Sequence, residues 1–266
     1  MNQTTHARGF TVTVLGAWIA VLFLTVPLLV VFPVSFTPNR YLSMPDGAWS
    51  LRHYATLIDD PAWLRSIRDS LFIGIAATAI ALLLGTATAL GCWRLSSRLS
   101  EGVRIVMLTP MIVPSIVHAL GFYQVWAQLG LIDTYTGVII AHAIKGTPYV
   151  VIGVSAALAN VPLSLEQAAR SLGAGVLQAL WQVIIPAARP GILAGGVFAF
   201  ALSWDELVVT LFITSRAVVT LPRKIWDGIQ DNINPAVAAV AAVMILLTVV
   251  AMLIRLAIAY RPRARA

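Results

Sequence analysis

Between residues 160 and 189 the chain reads Leu165-Glu166-Gln167-Ala168-Ala169-Arg170-Ser171-Leu172-Gly173-Ala174 and then, after a short amphipathic run, Val183-Ile184-Ile185-Pro186. This segment is too polar to span a bilayer and too regular for a flexible linker. Leu165, Ala168, Ala169 and Leu172 recur at three- and four-residue spacing, which places them on one face of a short helix. Pro162 and Ser164 are helix-start signals, with Ser164 the expected N-cap. Gly173 ends or bends that helix. Val176, Leu177, Leu180, Trp181 and Ile184 form a second apolar face, which Pro186 and Pro190 are expected to stop. Two short helices around a glycine make a lever with an exposed apolar face, and such a face takes a partner groove.

On both sides of this segment the chain is hydrophobic. Of 266 residues 59% are hydrophobic and 11% charged, against about 45–50% and about 25% in a soluble domain. A helix rising about 1.5 Å per residue needs about 20 residues to cross a hydrocarbon core about 30 Å thick. Six runs qualify, near residues 10–36, 70–93, 105–131, 137–159, 190–214 and 236–259. Open sheet edges do not survive in lipid and no alternating barrel pattern is present. The expected fold is therefore all-α: a polytopic membrane protein with six transmembrane helices, in which residues 1–9 form a short terminus and 10–260 the membrane domain. The first run follows Arg8 but is too long for a secretory signal, and no small-x-small cleavage site follows it.

The formal charge of +7 belongs to membrane topology rather than to nucleic acid, because the basic residues cluster at helix ends. Arg94, Arg98 and Arg104 crowd one short loop, and Arg261, Arg263 and Arg265 the C-terminus, whereas the 130–135 connection holds Asp133 and no basic residue. Both termini and the 160–189 segment are accordingly expected in the cytoplasm. The first external loop, rich in Pro, Asp, Arg and Trp, is expected to hold an interfacial helix near residues 51–58, with its aromatic residues as interface anchors. Cys92, the only cysteine, forms no intrachain disulfide and is assigned no function.

Two spans carry small residues at four-residue spacing, Ala77, Ala81, Gly85 and Ala89 in the second and Gly191, Gly195, Ala199 and Ser203 in the fifth. Such stripes let helix backbones approach closely in lipid. Pro110, Pro114 and Pro148 interrupt the third and fourth spans, either as kinks or as the lining of a cavity. Lys145, Asp205 and Glu206 are the ionisable residues placed deep in spans, where charge is costly and faces a cavity or a partner. Counted from the ends of their spans, Lys145 and Glu206 share a depth. One carboxylate is expected to pair with Lys145 while the other faces a pathway for a cationic solute, the alternative being an ion pair that only fixes packing.

No phosphate-binding loop is present, since neither Lys145 nor Lys224 has the required preceding glycine, and the chain does not bind ATP in that way. His6, His53, His118 and His142 are not at metal-ligand spacing, and no nucleophile elbow occurs. No catalytic residue, metal or cofactor is expected. A channel or secondary transporter is the main alternative for a bundle of this kind, although no internal repeat supports it.

The 165–186 stretch resembles the EAA loop of ABC importer permeases. The family pattern is a Glu-Ala-Ala triplet, a Gly six residues after the Glu, and Ile-x-Leu-Pro ending thirteen residues after that Gly; Ala168, Ala169, Gly173 and Pro186 match at these spacings. Gln167 stands where the pattern has Glu, and Glu166 is one position early. Ser203-Trp204-Asp205-Glu206-Leu207-Val208-Val209-Thr210, then Thr220-Leu221-Pro222-Arg223-Lys224-Ile225-Trp226, then Asn234-Pro235, is similar to the second permease of spermidine/putrescine-type importers. The resemblance implies a type I importer in a bacterial inner membrane, with a homologous second permease, two ATP-binding subunits and an extracytoplasmic substrate-binding protein. It assigns ATPase coupling to Glu166, Gln167, Ala168, Ala169, Gly173 and Pro186. Polyamines are the implied solutes, with iron, opine-like and phosphonate substrates among relatives.

Overall fold

The protein is described by a computed structural model for residues 3–231 and 234–259, and all the regular structure in them is helical. Arg261, Arg263 and Arg265 lie outside the described residues, as do the side chains of His6 and Arg8. The chain divides into two units, Met1–Leu64 with Ile225–Ala266, and Arg65–Lys224.

In the first unit α1 (Gln3–Ser35) exposes nearly every side chain from residue 13 to 30. An apolar surface of that length belongs in lipid or against a partner. The turn after it is held by Ser35, whose hydroxyl hydrogen-bonds the Tyr54 hydroxyl at 2.7 Å, and by Phe36, which packs against the Trp49 and Tyr54 rings. The expected interfacial helix is α2 (Arg52–Asp59).

The second unit starts within α3 (Pro61–Leu95) and continues through α4 (Arg98–Ile112) and α5 (Ser115–Leu129). These last two meet at a bend of 104°, so the span expected over 105–131 with a proline interruption is a full break in the helix. Pro114 has no N–H to donate and forces Val113 into an extended conformation (φ −72°, ψ 129°), so α4 stops and α5 restarts one residue later. α6 (Tyr135–Leu158) is the central helix: it packs against α4 and, most extensively, against the long helix that follows the 160–189 segment, and 67% of its most apolar stretch is buried.

Within 160–189, α7 (Leu163–Ser171) starts after Pro162, so Ser164 lies inside the helix and is not its N-cap. After a turn, α8 (Val176–Ala179), a π-helical turn (Leu180–Ile184) and α9 (Ile185–Asp205) run on as one helix over Val176–Asp205. Pro186 and Pro190 therefore do not stop it. The π turn lets the Ile185 N–H reach the Leu180 carbonyl, and Pro186 then sits in the first turn of α9, where a missing N–H costs little. The expected fifth span is corrected at its far end as well: the helix breaks at Glu206 and Leu207, and α10 (Val208–Ile213) follows.

Both small-residue stripes are buried: Ala77, Ala81, Gly85 and Ala89 on α3, and Gly191, Gly195, Ala199 and Ser203 on α9. The backbones of α6 and α9 approach closely, so that a Cβ on Gly191 would stand 2.3 Å from the Gly153 carbonyl oxygen. No residue but glycine fits there. One apolar cluster joins Ala81, Val150, Ile184 and Ala199 near the end of the bundle that carries α7, and another joins Ile73, Trp126, Val138 and Val209 near the opposite end.

The chain ends in α11 (Leu221–Asp231) and α12 (Ala236–Ala259), the latter packed on α1 and α2 in the first unit. Among the described residues four helices are long and apolar enough to cross a membrane, with α4 and α5 a fifth if taken as one broken span, and α12 is apolar over Ala236–Val250. The protein is thus a multi-pass all-α membrane protein.

Candidate functional site

Two places gather the residues singled out from sequence. The first is the turn after α7. Its last carbonyls are closed by the N–H of Gly173 donating to Arg170 O (3.0 Å) and that of Ala174 to Ala169 O (3.1 Å), a Schellman cap that needs a left-handed residue. Gly173 supplies it at φ +92°, with nothing within 4 Å of where a Cβ would be. Gln167, Ala168 and Gly173 are exposed, Ala169 and Pro186 half-buried. Around them stand exposed apolar side chains, Leu172 at 90%, Leu177 at 72% and Trp181 at 68%. Glu166 is turned the other way, buried against Arg94 at the end of α3 at 3.1 Å.

The second place lies where α9 breaks. The backbone leaves the helix at Glu206 (ψ 105°), and one carboxylate oxygen of Glu206 accepts the Val209 N–H at 3.0 Å, replacing a lost helical bond. Its other oxygen is ion-paired with Lys145 of α6, which also donates to the Ser115 hydroxyl at 2.9 Å. Both ionised side chains are buried. A charge in this setting persists only when paired and hydrogen-bonded, and irregular backbone at such depth persists only where protein or a cavity surrounds it. One turn before Lys145, His142 is fully enclosed and bridges the hydroxyls of Ser203 (2.8 Å) and Thr210 (3.2 Å), tying α6 to both sides of the break.

Asp205 is the exception. It is exposed, and among the described residues no hydrogen bond or ion pair holds it. It lines a cavity of about 520 Å³ together with Lys145, Glu206, Ser115, Tyr149 and Phe198. The Tyr149 and Phe198 rings stack along one wall with centroids 6.5 Å apart. The structure thus brings Lys145 and Glu206 together and leaves Asp205 facing open space, and it places the α7 residues in a separate surface. Sequence inspection missed Ser115, and it named Ser203, Thr210 and Arg94 without the partners they have here. His142 had a usable signal, its three-residue offset from Lys145 on one face of α6.

At the bundle end away from α7, the loop after α10 is held by Asp133, whose carboxylate accepts four consecutive N–H groups, of Ser215 (2.8 Å), Arg216 (2.9 Å), Ala217 (2.9 Å) and Val218 (3.2 Å). Partial burial pushes the Asp133 pKa up, but the donors on Ala217, Ser215, Arg216 and Val218 outweigh it and hold the value down at about 2.

Comparison with known proteins agrees with this architecture. The chain is 28% identical over 228 residues to the spermidine/putrescine transport system permease protein PotC of Escherichia coli (strain K12), covering 86% of each chain. It is 28% identical over 234 residues to the putrescine transport system permease protein PotI of the same strain, 84% of this chain and 82% of the relative. The molybdenum transport system permease protein ModB of Mycobacterium bovis is 31% identical over 240 residues, 83% and 89%. In fold it matches a crystal structure of a bacterial ABC transporter involved in the import of the acidic polysaccharide alginate, with a TM-score of 0.73 at 18% identity over 98% of this chain and 99% of that one. Residues 81–264 match the family described as binding-protein-dependent transport system inner membrane component, and the chain belongs to that family.

Proposed function

We propose that this permease carries a small cationic solute of the polyamine type, as one of two homologous permeases in an ATP-driven importer. The observation that supports this solute is the cavity beside the helix break, where Lys145 takes up Glu206 and leaves Asp205 as the carboxylate open to a ligand. A cavity whose free ionised group is negative, with stacked aromatic faces on one wall, favours a cation. The relatives named for spermidine and putrescine point the same way. The relative named for molybdenum supports a second reading, a permease for another small solute.

The chain has no phosphate-binding loop, so hydrolysis falls to two separate ATP-binding subunits, and delivery to an extracytoplasmic binding protein. Helix α7 and the Gly173 turn are the coupling surface, with Gln167, Ala168, Ala169, Gly173 and Pro186 at or near the contact. The exposed Leu172, Leu177 and Trp181 suit a groove on an ATPase subunit. Both termini and α7 lie on the cytoplasmic side of a bacterial inner membrane.

The test is Asp205→Asn in the assembled transporter. Uptake of labelled spermidine or putrescine should fall by about tenfold or more, the worth of a hydrogen bond to a charged group, with the complex still assembling. Unchanged polyamine uptake would remove the pathway role of Asp205.

A further inference from the structure

Helix α7 is attached to the bundle by chain at both ends, and polar contacts also tie it and the turn before it to a helix distant in sequence. At the end of α3, Arg94 pairs with Glu166 at 3.1 Å, and the adjacent Trp93 donates its indole N–H to the Val161 carbonyl at 3.2 Å, just before α7 begins. The Glu166 side chain is 6% exposed and that of Arg94 37%. Each charge also suits its own helix. Arg94 lies in the last turn of α3, where the carbonyl end of the dipole favours a cation, and Glu166 in the first turn of α7, where the N–H end favours an anion.

This pair occupies the one carboxylate of the 165–174 stretch, so Glu166 is not presented to a partner with Gln167 and Ala168. At the same time α3 lies against the central helix, where Gly85 faces Val150 so closely that a Cβ would stand 2.7 Å from it. Arg94 and Trp93 thus give α7 and the turn before it a second connection, to a helix that packs on α6, besides the direct route along the chain into α9.

We propose that Arg94 is a positioning residue for coupling: through Glu166 it fastens α7 to α3, so that force from the ATPase moves α3 with α9 instead of bending α7 alone. This rests on α7 being the coupling helix, as proposed above. The pair acts as a tie and touches neither solute nor nucleotide.

The experiment uses the complete transporter, with binding protein and internal ATP, in liposomes, and reads solute uptake and ATP hydrolysis from the same vesicles. Arg94→Ala and Glu166→Gln should copurify with the ATPase subunits in normal amount, yet uptake per ATP hydrolysed should fall by roughly threefold or more, the range by which residues along a coupling route act. Arg94→Lys, which keeps a cation at the end of α3 within reach of Glu166, should retain most of the ratio. An unchanged ratio in both Arg94→Ala and Glu166→Gln overturns the proposal, as does an Arg94→Lys ratio as low as that of Arg94→Ala, or loss of the ATPase subunits from the single variants. Gly173→Trp run alongside separates the two levels. If it also transports normally, the coupling assignment of α7 fails; if it loses uptake while the Arg94 and Glu166 variants do not, only the tie fails.

Discussion

Asp133 shows how one side chain in an unusual conformation organises a distant loop. It adopts φ +58°, which turns its carboxylate back over residues 215–218, while its own N–H donates to the Ile213 carbonyl at 2.8 Å. Removing it in Asp133→Ala leaves four N–H groups without their acceptor. Because those groups are partly solvated, the expected loss is about 1–2 kcal/mol and not the sum of four charged bonds. The sign with pH follows from the depressed pKa: the contribution is fully present above the ordinary value of 3.8 and is lost as pH falls through about 2. Thermal unfolding of the two proteins in detergent should therefore differ at neutral pH and converge on acidification. A gap that persists unchanged in acid would show that the carboxylate charge is not what holds the loop. Nothing in the local sequence announced this role, since the four donors sit more than 80 positions away. That Lys145 pairs with a carboxylate was legible because deep charges must find each other, but depth alone left Asp205 and Glu206 both open as the partner. Arg94 was legible only as a topology marker, for its partner Glu166 lies across a whole helix pair.

At the scale of helices, stripes of small residues were a reliable guide and prolines were not. Four-residue spacing of Ala and Gly reports a face that permits close backbone approach, and both such faces are buried. Proline reports only a missing N–H, whose consequence depends on what else meets the freed carbonyl. Pro114 breaks the chain by 104°, whereas Pro186 and Pro190 lie within one continuous helix, the first of them just after a π turn. The break at Glu206 carried no local signal, because it is stabilised by Lys145 and by the carboxylate's bond to Val209. The seam itself is testable. Gly191→Ala places a methyl 2.3 Å from the Gly153 carbonyl oxygen and 2.6 Å from the Ala157 Cβ, and should destabilise the isolated chain in detergent by about 1–3 kcal/mol, as overpacking does. Gly121→Ala, with nothing within 4 Å, serves as the control and should leave melting unchanged or slightly raised. Equal behaviour of the two would mean that α6 and α9 do not meet at this distance.

For the molecule as a whole, the proposed coupling surface at α7 and the cavity at the α9 break lie on either side of α6 and α9, which meet at glycine-only distance. The apolar surface of α1 over residues 13–30 belongs in lipid or against a partner, and the exposed apolar patch around Trp181 suits a partner groove. The family match over residues 81–264 carries the same message, since it names a component and not a complete transport system. The helical, membrane-crossing character of the chain was legible in sequence, because bilayer thickness fixes segment length, although among the described residues four helices, with the α4 and α5 pair a fifth, are long and apolar enough to cross where six spans were expected. Which carboxylate stays free was not legible, because it depends on a turn set by tertiary contacts. The most direct measurement is therefore reconstitution of the purified chain in vesicles, alone and together with its second permease, ATP-binding subunits and binding protein, with labelled putrescine outside and ATP inside. The complete assembly should accumulate solute and hydrolyse ATP, and the single chain should do neither; accumulation of solute by the single chain would contradict the account.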